Sequence, residues 1–179
     1  MPDTIWTIGH STRPLGDFLA LLEGNGVASI ADVRRFPGSR RHPQYGAETL
    51  PVALAAHGIG YRWFEALGGR RRPRADSPNA VWKNEAFRGY ADYMQTTAFH
   101  EALGALLAFA RAQSTSLMCA EAPWWRCHRS MIADALKARG VRVLHILAAG
   151  KVVEHPYTAP ARVVGSEVTY AEPGLFVDV

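Results

Sequence analysis

Short apolar runs alternate along this chain with stretches whose apolar positions recur at helical spacing. Ile5-Trp6-Thr7-Ile8 predicts a first strand. Leu15, Phe18, Leu19 and Leu22 then fall at i, i+3, i+4 and i+7, one apolar helix face. Ser11 or Thr12 is placed to cap that helix, Pro14 fits its first turn, and Gly24-Asn25-Gly26 stops it. Residues 27–33 predict a second strand, Thr49 caps a helix through Ala56, and residues 59–64 predict a third strand. Two helices follow over 85–94 and 98–112, then a buried-type strand over 116–119. A helix over 128–139, closed by Gly140, leads into a last buried-type strand over 141–147.

Strands alternating with helices predict an α/β fold, a three-layer sandwich whose mainly parallel sheet carries helices on both faces. At 179 residues the chain suits one domain, expected over 1–162, with 163–179 a tail or an extra strand packed on it. The arginine- and proline-rich stretch from Gly68 to Trp82 reads as a long loop, and loops of that length usually serve function or move.

Composition narrows the setting. No apolar run is long enough to span a bilayer, and Met1-Pro2-Asp3-Thr4 does not open a signal peptide. Two cysteines make no disulfide framework, so reduced thiols in the cytoplasm are the expectation. The net charge of +4 is modest, but the chain has 17 arginines to 3 lysines. Arginines 34, 35, 40 and 41 form one cluster and 70, 71, 72 and 74 another. Such clusters are often only solvated loop surface, yet the guanidinium fork suits phosphate, so an anionic partner is expected, a nucleotide or nucleic acid among the options.

Ligands of open parallel sheets bind beyond the carboxyl ends of the strands. Here those ends are polar. The first strand gives His10, Ser11 and Thr12, the second Asp32 and Arg34, and the fourth Cys119 and Glu121. His145, near the end of the fifth, reads as a satisfied core histidine. Each of the others also has a plain role: a cap, a loop anchor, a small buried hydrophobe. Tyr45, Tyr61, Trp124 and Trp125 either cover the core or stack on a ring.

The densest chemistry lies in "MCAEAPWWRCHR", Met118 to Arg129. A thiolate nucleophile is one reading, but Cys119 to Arg126 is Cys-x6-Arg, not the Cys-x5-Arg of cysteine phosphatases. Zinc is a second, since Cys119, Cys127 and His128 are acceptable ligands. Their spacing matches no finger and adjacent Cys127 and His128 aim poorly at one ion, so no metal is expected. The preferred reading makes Glu121 the general acid or base, assisted by His10 or His128, with arginines holding an anion.

Five motifs, "TIGHS", "DVRRFPGSRR", "LGG", "FRGYADYM" and "MCAE…CHR", stand in an order that resembles the bacterial domain of unknown function 488 family over roughly residues 4–162. Tyr45 stands where that family's pattern suggests phenylalanine. The resemblance implies an α/β sandwich and a shared polar set of His10, Ser11, Asp32, Arg34, Ser39, Cys119, Glu121, Cys127, His128 and Arg129. It implies no reaction. Joined with the residue chemistry, the expected catalytic groups are Glu121, His10, Cys119 and Asp32. The expected substrate contacts are Ser11, Arg34, Ser39, Arg40, Tyr45, Cys127, His128 and Arg129.

The expected function is a hydrolase or transferase acting on a phosphate-bearing substrate. The alternatives are a non-catalytic nucleotide or nucleic-acid binder and, third, a thiol redox or sulfur-carrier protein, against which the lack of Cys-x-x-Cys counts. No Walker-type or Gly-x-Gly-x-x-Gly segment occurs, so no nucleotide cofactor is expected.

Overall fold

The computed structural model describes residues 2–38 and 40–171. Strand β1 is Thr4–Gly9, followed by helix α1 (Leu15–Gly24), β2 (Ser29–Asp32), α2 (Leu50–Ala56) and β3 (Gly60–Trp63). Helices α3 (Glu85–Met94) and α4 (Thr97–Ala112) come next, then β4 (Thr115–Cys119), α5 (Arg129–Ala138) and β5 (Arg142–Ala148). Lys151–Glu154 returns as β6, and Arg162–Val164 and Glu167–Thr169 form β7 and β8.

One six-stranded sheet runs in the order β3-β2-β4-β1-β5-β6, parallel throughout except for the antiparallel edge strand β6. Side chains alternate across it. Met118, Ile8, Ile30 and Ile146 bury themselves against Phe18, Leu22, Leu50 and Leu54 of α1 and α2. Leu117, Cys119, Ala31 and Val143 face the other way, against α3, α4 and α5. This is the three-layer α/β sandwich that the pattern predicts.

Two caps differ from expectation. Helix α1 starts after Pro14 with no side-chain cap, and Thr49 precedes α2 without capping it. In α2 the proline-fixed φ of Pro51 in the first turn favours the start, whereas in α1 Pro14 is itself the residue before the first turn. The segment after Arg162 resolves into the β7–β8 ribbon, turned at Gly165 (φ +63°), while residues 172–179 lie outside the described residues.

That ribbon is tied down through a buried polar chain. Asp134 of α5 accepts from Tyr170 Oη (2.8 Å), Thr158 Oγ1 (2.5 Å) and His155 Nε2 (2.9 Å). Because the carboxylate only accepts, His155 Nδ1 must receive the proton of His145 Nε2 (2.9 Å), and His145 Nδ1 that of Thr7 Oγ1 (2.6 Å). Trp124 stacks on His145 at 4.4 Å. His145 is thus the satisfied core histidine, its pKa lowered to about 3 by burial first, then by His155 and Arg129.

The connections leave a crevice where they diverge. The chain leaves β2 through α2 towards the β3 edge on one face. It leaves β4 through α5 towards β5 on the other. Ligand sites of open α/β sheets form at such a switch point.

Candidate functional site

Gly9 pairs with Cys119 and Asp32 with Met118, so the polar endings of β1, β2 and β4 do lie at one edge. Between them opens a cleft of about 290 Å³. Cys119, Glu121, Arg126, Cys127 and His128 line it from the β4–α5 connection, and Arg34, Arg35 and Phe36 from the segment after β2. Gly69 and Arg70 close one side, and Asn84, Ala86 and Phe87 at the start of α3 another.

Close packing holds these walls together. A Cβ on Gly9 would sit 1.9 Å from the Glu121 carbonyl oxygen, so only glycine lets β1 approach that loop. A Cβ on Gly69 would come 2.8 Å from His128 Nδ1, which explains the glycine beside that ring. Asn84 caps α3 by accepting from Ala86 N (2.9 Å) and Phe87 N (3.3 Å). Both α3 and α5 therefore turn their positive ends towards the cleft.

Not every expected residue reaches it. Asp32 is fully buried and accepts from Arg34 N and Nε, from Arg34 Nη2 at 2.6 Å, and from Tyr61 Oη at 2.7 Å. Its lone pairs are spent on aiming Arg34, and it does not line the cleft. His10 is likewise beneath the surface. Its Nδ1 donates to Ser11 O (2.9 Å), its Nε2 faces Arg34 Nη1 (3.4 Å), and its ring stacks on Tyr45 at 4.2 Å. Burial first, then the Arg34 charge, lowers its pKa to about 4. The expected shared lining by His10 and Asp32 is thus corrected: both nitrogens and both oxygens are already engaged.

Tyr45 is buried too, donating to Arg13 O (2.9 Å), with its pKa raised to about 12 chiefly by burial. Arg129 is only 1% exposed. Its Nη1 donates to the Glu121 carbonyl and its Nη2 to that of Ala122 (2.8 Å), so it clamps the loop rather than the ligand. Ser11, with φ +49°, and exposed Arg40 lie outside the lining, and Ser39 lies outside the described residues. Arg71 stacks on Tyr93 at 3.8 Å and bonds two carbonyls, so it is held to the scaffold, whereas Arg74 makes only an exposed ion pair with Asp76.

The thiols form the centre. His128 Nε2 lies 2.9 Å from the Val33 carbonyl oxygen, so it carries the ring proton and Nδ1 is left as an acceptor 3.6 Å from Cys127 Sγ. Burial pushes the Cys127 thiol up, but the Cys119 S–H, the Arg129 charge and the Arg129 N–H outweigh it and bring the pKa to about 7. The neighbouring Cys127 thiol, and then burial, raise the pKa of Cys119. The sulfurs of Cys119 and Cys127 and a ring nitrogen of His128 all lie within 4.8 Å of one another. Adjacency therefore does not send Cys127 and His128 apart: the turn into α5 folds the ring back over its neighbour. The more acidic thiol is Cys127, not Cys119.

Arg126, Gly69 and the Val33 carbonyl belong to the site beyond the expected set. Gly69 stood in the "LGG" motif without a role, and nothing in a sequence reports the aim of a carbonyl. Arg126 and Arg70 have no acidic partner among the described residues, whereas Arg35 pairs loosely with Glu65 at 3.5 Å.

The domain of unknown function DUF488 matches residues 14–136, and the chain belongs to this family. No curated protein and no solved structure matches it. Among the described residues no helix is long and apolar enough to cross a membrane.

Proposed function

We propose that the protein is an enzyme, a hydrolase or transferase, that handles a phosphate-bearing substrate such as a nucleotide or nucleic acid in this cleft. One observation carries the reading: among the described residues a single carboxylate, Glu121, lines the cleft together with four arginines, 34, 35, 70 and 126. Arg34 is neutralised by Asp32, which leaves Arg70 and Arg126 to meet a dianion, aided by two helix starts. Glu121 is then the group that moves a proton to or from the reacting oxygen. Two free cysteines accord with a cytoplasmic protein.

Turnover of a panel of phosphomonoesters, phosphodiesters and nucleotides tests this. Glu121→Gln should keep substrate affinity nearly intact and lower kcat by about 100-fold or more. Unchanged kcat in that variant removes Glu121 from the chemistry. Absence of binding by any panel member at low salt removes the phosphate-bearing substrate.

The lowered pKa of Cys127 favours a second reading, a transferase that uses this thiolate as nucleophile. Here Cys127→Ser would abolish turnover and a covalent adduct would be trapped on Cys127.

A further inference from the structure

We infer that Cys119, Cys127 and His128 form a binding site for one zinc ion, with its fourth coordination position open to the cleft. The inference shares the cleft with the enzyme reading but not its reaction, and it is tested without turnover.

The donor set comes first. Two sulfurs and one imidazole nitrogen are the ligands zinc takes, and a set of three with an open place is the pattern of catalytic zinc rather than of closed structural sites. All three residues line the cleft, so the remaining tetrahedral position faces whatever the cleft holds.

Distances come second. With Zn–S about 2.3 Å and Zn–N about 2.05 Å, a tetrahedral centre sets sulfur and nitrogen about 3.6 Å apart and two sulfurs about 3.8 Å apart. Cys127 Sγ and His128 Nδ1 are 3.6 Å apart, and the three ligand atoms all fall within 4.8 Å. A thiol needs to move by about 1 Å or less to close the set.

Support behind the ligands comes third. A metal-bound histidine usually donates its other N–H to a carbonyl or carboxylate, which fixes the ring and the tautomer. His128 Nε2 already does this to Val33 O at 2.9 Å, leaving Nδ1 bare and turned towards the sulfurs. Gly69, with no side chain, leaves the ring room to sit there. Arg129, buried behind the loop, holds the Glu121 and Ala122 carbonyls and so fixes the backbone beside the site.

Binding exchanges protons for metal. Zn²⁺ displaces the S–H protons of Cys119 and Cys127 to solvent and accepts electron pairs from two thiolates and from Nδ1. No electrons change hands, and affinity must fall as pH is lowered.

The test uses the full-length protein, stripped by a chelator under reducing conditions and titrated with zinc chloride against a chromogenic competitor. We expect one zinc per chain, with Cys127→Ser and His128→Gln each weakening it about 100-fold or more. Cobalt(II) in the wild-type protein guards against variants that fail to fold. It should give the visible bands of a tetrahedral site and a sulfur-to-cobalt charge-transfer band of two-thiolate intensity. Glu121→Gln should bind zinc as the wild type does, whatever its turnover. No stoichiometric zinc, an octahedral cobalt spectrum, or zinc retained in Cys127→Ser overturns the assignment.

Discussion

His128 Nε2 meets the carbonyl oxygen of Val33 at 2.9 Å, so the backbone just after β2 sets the tautomer of a ring at the start of α5. That bond turns Nδ1 towards Cys127. The two thiols and the imidazole then form one cluster, with the ligand atoms within 4.8 Å of one another and Cys127 Sγ 3.6 Å from Nδ1.

In reduced, metal-free protein, alkylation of Cys127 by iodoacetamide should rise with a midpoint near pH 7, followed by peptide mass spectrometry. Cys119→Ala removes the S–H that favours the thiolate, so the midpoint should climb towards the ordinary thiol value of about 8.5. An unmoved midpoint would show that Cys119 gives Cys127 no such bond.

Acid should destabilise the fold through two histidines held neutral. His10 is lowered to about 4 and His145 to about 3, both first by burial. The unfolded chain binds these protons near the reference value of about 6.5, so stability is full above it and falls as pH drops. Each histidine then costs about 1.4 kcal/mol per pH unit across its window, until pH reaches its folded value. Urea midpoints measured from pH 7 to pH 4 should decline, and His145→Gln should flatten the slope. A flat profile in the wild type contradicts this.

Gly9→Ala should be severe. The new Cβ would fall 1.9 Å from the Glu121 carbonyl oxygen and 2.8 Å from Ala122 Cα, all backbone. A loss of about 3 kcal/mol or more is expected from thermal unfolding, beyond ordinary overpacking, because neither strand nor loop can yield cheaply.

Much of this was legible in the chain. The alternating periods give the sandwich and the helix bounds, since burial against two faces leaves a direct mark on apolar spacing. The carboxyl edge was legible as well, because polar residues follow each apolar run. What the sequence did not carry is depth. His10, Asp32 and Glu121 all stand at or just past the carboxyl ends of their strands, yet of these three only Glu121 lines the cleft. Asp32 is consumed by Arg34 and Tyr61, which are two and 29 residues away. The ribbon of β7 and β8 was ambiguous because its strands are only three residues each and it is held by distant partners: Val168 on the core, Glu167 beside Arg139 and Tyr170 on Asp134.

Arg129→Met should separate scaffold from ligand contact. It leaves the Glu121 and Ala122 carbonyls without their donor, so about 2–4 kcal/mol of stability should be lost in urea unfolding. Where the variant stays folded, anion affinity should change far less than in Arg126→Ala. Equal losses of affinity would mean that Arg129 does touch the ligand.

A phosphate-bearing substrate requires an anion to lie in the cleft between the β2 segment and the start of α5. A crystal soaked in tungstate, a phosphate-like dianion located by its anomalous signal, tests this directly. A peak is expected in the cleft, in contact with Arg126 or Arg70 and beside the Cys127–His128 turn. Peaks confined to the exposed Arg40–Arg41 segment or to other surfaces, with the cleft clear, would contradict it.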